Sequence, residues 1–319
     1  MHLIKIRYNP AMAIVFIVVL YIFLTLAGCA SSSNKNLEKL REQQLEMQHQ
    51  RDSENFSDLN KLPEMTAQEH EILADSLLSQ GKLPMAYIHY EKAQKIGPVK
   101  DDIYYKKGLT LLIANKNQDA IEQFKKMLDH RPTHALSLEG IGQAYLQLKD
   151  YQNATKYFNE ALKYESNLWR THNHLGNIYD IKQQYKLAIQ HYTKAILINP
   201  HDGALYNNLG ISYMLSGENE PAIGSLLKSI ENGYQNPKVF NNLGLALAKV
   251  GRYQEAFESF KRGGDIATAY NNIGCAYMAE GKYQNAIECF QKAIEINPGY
   301  YAKAGENLKR AKLSLKHNP

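Results

Sequence analysis

Cysteine is nearly missing from this chain, with three in 319 residues, so a disulfide framework is excluded. Charge of one sign is lacking too: 37 basic residues face 32 acidic ones, and the formal charge of +5 is scattered. That argues against a nucleic-acid partner. The glycines of "GQAYLQLKD" and "GKYQN" lack the setting of a phosphate loop. Cys275 and Cys289 have no histidine and acid recurring at a plausible shared site, so no catalytic residue is assigned. His172 and His174, two apart on a helix, point about 160° from each other and cannot chelate one ion. No metal and no cofactor are expected, and nothing argues for an enzyme. What remains is ordinary globular composition, 44% hydrophobic and 22% charged, enough to build a core.

The first ten residues carry Lys5 and Arg7 without an acidic residue, and "AMAIVFIVVLYIFLTLAG" then runs apolar from Ala11 to Gly28. The run nearly reaches the roughly 18–20 residues that a bilayer requires, so an inner-membrane signal anchor is the alternative reading. Small residues followed directly by cysteine, "LAGC" at Leu26 to Cys29, point instead to a cleaved signal. The stretch resembles a bacterial lipobox. That resemblance implies a signal peptide over residues 1–28 and lipid attachment at Cys29. With Ala30 rather than Asp next, it also implies the periplasmic face of the outer membrane. Residues 29–66 then read as the acylated Cys and a polar tether, since "SSSNKN" is too polar to bury.

Repetition organises the rest. Ala74, Gly108, Gly142, Gly176, Gly210 and Gly244 are spaced 34 apart, and Gly274 follows after 30. Twelve residues beyond each stands an alanine, from Ala86 to Ala286, and four further on a large residue: Tyr90, Phe124, Phe158, Tyr192, Leu226, Phe260 and Phe290. Pro98, Pro132, Pro200 and Pro298 close several units. At every diagnostic position this resembles the tetratricopeptide repeat. The resemblance implies an all-α, right-handed superhelical solenoid of helix-turn-helix units at 67–100, 101–134, 135–168, 169–202, 203–236, 237–266 and 267–300. A capping helix and tail occupy 301–319. Small eighth residues let the two helices of a unit approach. Gly81, Gly217, Gly251 and Gly281 are placed to end first helices. "KRGGD" at Lys261 to Asp265 leaves the sixth unit four residues short, which predicts a shortened second helix.

Four units carry asparagines where a core has no use for them: "HNHLG", "YNNLG", "FNNLG" and "YNNIG". At 100° per residue, packing positions four, seven, eight and eleven average about 190°, and the concave surface faces the other way. Position six lies about 30° from that direction and position five about 70° off. Asn208, Asn242 and Asn272, with His174 in their row, are thus expected to look into the groove. Asn173, Asn207, Asn241 and Asn271 flank them, Asn177 also faces in, and Ile211 and Leu245 are interleaved. A primary amide offers donors and an acceptor, as a peptide backbone requires. The row is similar to the asparagine ladder in the tetratricopeptide superhelix of O-linked N-acetylglucosamine transferase, which implies a backbone clamp. The simpler alternative is that these amides bond to one another or to the adjacent helix.

A lipid-anchored array of such repeats resembles the tight-adherence (Flp) pilus lipoproteins and the pilotins of type IV pili. The expected partner is then a protein or peptide client in the periplasm, such as a secretin or another pilus or secretion component. The rival expectation is an adaptor for peptidoglycan hydrolases or periplasmic proteases.

Overall fold

The computed structural model describes residues 64–97 and 102–317, with four isolated positions between 39 and 47. The signal stretch, Cys29, most of the tether and Pro98 lie outside the described residues. Residues from Thr66 to Pro319 form one compact unit. Seven helical hairpins succeed one another: α1 (Ala67–Ser79) and α2 (Leu83–Ile96), α3 (Asp102–Ile113) and α4 (Asn117–His130), α5 (Ala135–Gln147) and α6 (Tyr151–Tyr164), α7 (Trp169–Ile181) and α8 (Tyr185–Ile198). They continue with α9 (Gly203–Ser216) and α10 (Asn219–Glu231), α11 (Pro237–Lys249) and α12 (Tyr253–Gly263), and α13 (Ile266–Ala279) and α14 (Tyr283–Ile296). A short 3-10 turn (Pro298–Tyr300) leads to α15 (Tyr301–His317). Each helix packs chiefly on its neighbours in the chain, and several successive first helices also touch. This is the helix-pair solenoid of tetratricopeptide repeats, with its core shared between neighbours.

Local chemistry sets the helix ends. Thr66 and Glu69 cap α1 reciprocally: Glu69 N donates to Thr66 Oγ1 at 3.3 Å and Thr66 N to Glu69 Oε2 at 2.7 Å. Asp150, Asp202, Asn236 and Asp265 accept from the first-turn amides of their own helices. The turn within a hairpin needs a left-handed residue, met by glycine at φ +73° to +86° in four hairpins. Asn115, Lys149 and Gln183 take the same conformation at φ 57–60° in the other three. The sixth hairpin's second helix has 11 residues, against 13 or 14 in the others, because Gly263 and Gly264 end it early.

The repeat letters meet in the core. A Cβ on Gly108, Gly142, Gly176, Gly244 or Gly274 would come within 2.6–2.7 Å of the ring sixteen residues later, so in these five units glycine allows the ring's close approach. The next hairpin covers the ring's other side. Phe124 lies between Gly108 and Gly140, whose Cβ would stand 2.5 Å from it. Phe158 lies between Gly142 and the His174 ring, stacked at 5.4 Å and 14°. In units three and four, position six (Gly140 and His174) thus overlies the ring of the preceding unit, and both rings, Phe124 and Phe158, are fully buried.

Candidate functional site

The asparagines stand on the first helices α7, α9, α11 and α13. Their amides are bonded between hairpins: Asn208 Nδ2 donates to Asn173 Oδ1 at 3.0 Å, and Asn242 Nδ2 to Asn207 Oδ1 at 3.3 Å. Within one helix Asn207 Nδ2 donates to Asn208 Oδ1 at 3.4 Å, which joins four amides into one chain. A second chain runs from Asn307 Nδ2 on α15 to Asn271 Oδ1 at 3.0 Å, and from Asn271 Nδ2 to Asn272 Oδ1 at 3.3 Å. The cross-hairpin bonds span 35 or 36 residues, one or two beyond the repeat period. In the short sixth unit the equivalent bond would join Asn272 to Asn241, 31 apart. Instead Asn241 Oδ1 is buried without a partner, beneath Gly263, whose Cβ would lie 2.7 Å from it.

At position six, Asn208, Asn242 and Asn272 keep part of their surface. Asn177 and Leu245 are exposed and Ile211 partly so, all on the same helix faces. Position five departs from the helical wheel in two of the four units. Asn207 and Asn271 are buried, at 7% and 2% exposure, so they bridge first helices rather than flank an open groove. The wheel averages a single core direction, whereas a solenoid helix is covered on both sides by neighbouring hairpins. His174 departs as well, because its ring is committed to Phe158. Each bonded amide still has capacity. Asn208 uses one of its two N–H groups and accepts one bond, which leaves a donor and a lone pair for a ligand.

Sequence reasoning missed the histidine pairs. His172 meets His191 of α8, Nδ1 to Nδ1 at 3.0 Å, and His70 meets His89 at 2.9 Å in the same repeat positions. Ring centroids of 5.2 Å and 5.0 Å place the rings nearly end-on. That is the geometry of one shared proton, too head-on for a metal to be held by both nitrogens. The signal was available: histidines nineteen apart recur at positions four and twenty-three of units one and four. Cys275 is exposed, Cys289 half-buried, and neither is in a disulfide.

Burial depresses the imidazoles of His174 and His191. Desolvation, with the Arg170 charge second, holds His174 at about 4. Desolvation, then the charges of His172 and Lys194, brings His191 to about 4 as well. The folded values lie below the ordinary 6.5, so the unfolded chain takes up protons first as pH falls. Stability is therefore full above about pH 6.5 and is lost progressively toward pH 4. His174 alone accounts for about 2 kcal/mol at pH 5. Melting followed between pH 7 and 5 is expected to drop, and His174→Asn, the residue of the later units, to flatten part of the slope. A flat profile for the unsubstituted protein would overturn this reading.

Family models described as tetratricopeptide repeat match residues 105–167, 169–202, 237–263 and 267–300. No curated protein matches the sequence. Among solved structures, the C-terminal part of a TPR repeat-containing protein from Cytophaga hutchinsonii is 18% identical with a TM-score of 0.59, over 74% of this chain and 98% of that one. YrrB, a TPR protein with an unusual peptide-binding site, is 23% identical with a TM-score of 0.51, over 60% and 98%. Pseudomonas aeruginosa PilF is 19% identical with a TM-score of 0.51, over 67% and 96%. At these identities the likeness is one of fold.

Proposed function

We propose that this chain, a tetratricopeptide-repeat protein, is a non-enzymatic scaffold that grips an extended peptide along the asparagine row. The observation that carries the reading is the state of the amides: they are fixed by one another yet keep spare donors and acceptors. A clamp ordered before its ligand arrives loses less freedom on binding. Ile211 and Leu245, on the same faces, sort the client's side chains. A photoreactive residue at Ile211 or Leu245 is expected to crosslink a periplasmic client, whose excised peptide then competes for the site. Crosslinks that a large excess of that peptide leaves unchanged would sink the proposal.

The scaffold is anchored through Cys29 on the periplasmic face of the outer membrane, and assists assembly of a pilus or secretion machine. The "LAGC" box and polar sequel support the anchor, and the layout of lipobox, tether and repeats supports the machine. Cys29→Ser is expected to abolish acylation. The protein should then leave the outer-membrane fraction for the soluble periplasm or for uncleaved inner-membrane precursor. Identical fractionation of variant and wild type would refute the anchor.

A further inference from the structure

The repeat logic fails at one residue of unit two. Position seven carries Leu or Ile in the six other units (Leu73, Ile141, Leu175, Leu209, Leu243 and Ile273), but Lys107 in this one. Lys107 is only 5% exposed. Its ammonium donates to Gln94 Oε1 at 3.1 Å, reaches Glu91 at 3.5 Å, and lies 4.9 Å from the centre of the Tyr87 ring. Burying an ammonium where an aliphatic would pack is costly, and these contacts offset it only in part. A second polar group lies beside it in the same groove. Gln123 is 7% exposed, and its Oε1 is buried with no hydrogen-bond partner. Native interiors seldom leave such an atom unsatisfied.

Both residues line a groove of about 860 Å³ between α2 and α4, floored by α3. Its apolar wall is Leu83, Pro84, Tyr87, Ile88 and Leu111. The second helices of the hairpins flank it, whereas the asparagines stand on first helices of units four to seven. The charges lining the groove cancel: Lys107, Lys116 and Lys126 against Glu91, Asp119 and Glu122. A highly charged ligand gains no net field there. An uncharged amide fits better, because its C=O matches the Lys107 ammonium or Gln123 Nε2, and a turn of the Gln123 side chain brings its buried, orphaned Oε1 to the ligand's N–H. The neighbouring wall takes an aliphatic side chain.

From this we infer a second binding site, separate from the asparagine row, that holds a short extended peptide segment by one backbone amide and one apolar side chain. The repeat itself supplies variants that fold: serine stands at the Gln123 position in units five and six (Ser225 and Ser259), and leucine at the Lys107 position in three other first helices of the later units. The isotopically labelled full chain is titrated with acetyl-Ala-Leu-Ala-amide and followed by NMR. Saturating shifts are expected at the Gln123 side-chain amide and at the Ile88 and Leu111 methyls. Gln123→Ser should weaken binding about three- to tenfold, as the loss of one hydrogen bond implies. Lys107→Leu should weaken it while leaving the melting temperature unchanged or higher. The site is overturned by any of four results: shifts that do not saturate, shifts confined to the asparagine row, Gln123→Ser binding as tightly as wild type, or acetate reproducing the same shifts as a simple anion.

Discussion

Phe158→Ala is expected to cost about 3–5 kcal/mol of unfolding free energy. The ring has no exposed surface and is held from two hairpins at once, with Gly142 against one face and His174 stacked on the other. Truncation opens a cavity at the junction of units three and four, where neither side can collapse without moving a helix. Because stability in a solenoid passes between neighbours, the loss should be concentrated there. Amides of α6 and α7 should exchange faster than those of α13 and α14. His174 also loses its cover, so its imidazole should return toward 6.5 and the pH dependence between 7 and 5 should flatten. Denaturant unfolding and hydrogen exchange check both parts. A loss below about 1 kcal/mol, far under the range for a buried Phe, would mean that the junction repacks and the ring is no keystone.

Replacing Asn208, Asn242 and Asn272 together by alanine should act mainly on binding. Two of these amides donate across hairpins, to Asn173 and Asn207, so some stability is lost with them. Each such bond is worth about 0.5–1.5 kcal/mol net. Alanine's better helix propensity returns about half a kcal/mol or more per site, so melting should fall only slightly. The ligand, by contrast, loses its backbone contacts at three places. If additive, the total is about 1.5–4.5 kcal/mol, or roughly 10- to 1000-fold in affinity for the crosslinked client. Calorimetry with the captured peptide and a melting curve read the two effects separately. A sharp fall in melting with unchanged affinity would mean that the amides only hold helices together. No change in either would leave the row a residue of repeat duplication.

The hairpins were legible because their causes are periodic. A small residue recurring mostly every 34 residues and a large one sixteen later are the two sides of one contact, so the sequence shows both partners. The left-handed turns at Gly81, Gly217, Gly251 and Gly281 were visible for the same reason, whereas Asn115, Lys149 and Gln183 carry no such mark. The site was legible only in part. Which asparagines share a helix face follows from the wheel, and Asn208 and Asn242 are partly exposed. The burial of Asn207 and Asn271 depends on the next hairpin, which a single-helix projection leaves out. The amide chain leaves a trace in separations of 35, and the histidine pairs leave one in separations of 19. Both require the register between helices before they can be read. Lys107 breaks the aliphatic pattern of position seven, but its burial beside Gln123 belongs to the packing of three helices.

The short sixth hairpin has a further consequence for whatever lies along the row. Asn173, Asn208, Asn207 and Asn242 form one scale, and Asn272, Asn271 and Asn307 another, with the unpartnered Asn241 at the seam. The row is thus broken once, like a ruler with one graduation missing. On the proposed clamp, a client that spans both scales meets no bonded amide pair opposite Gly263.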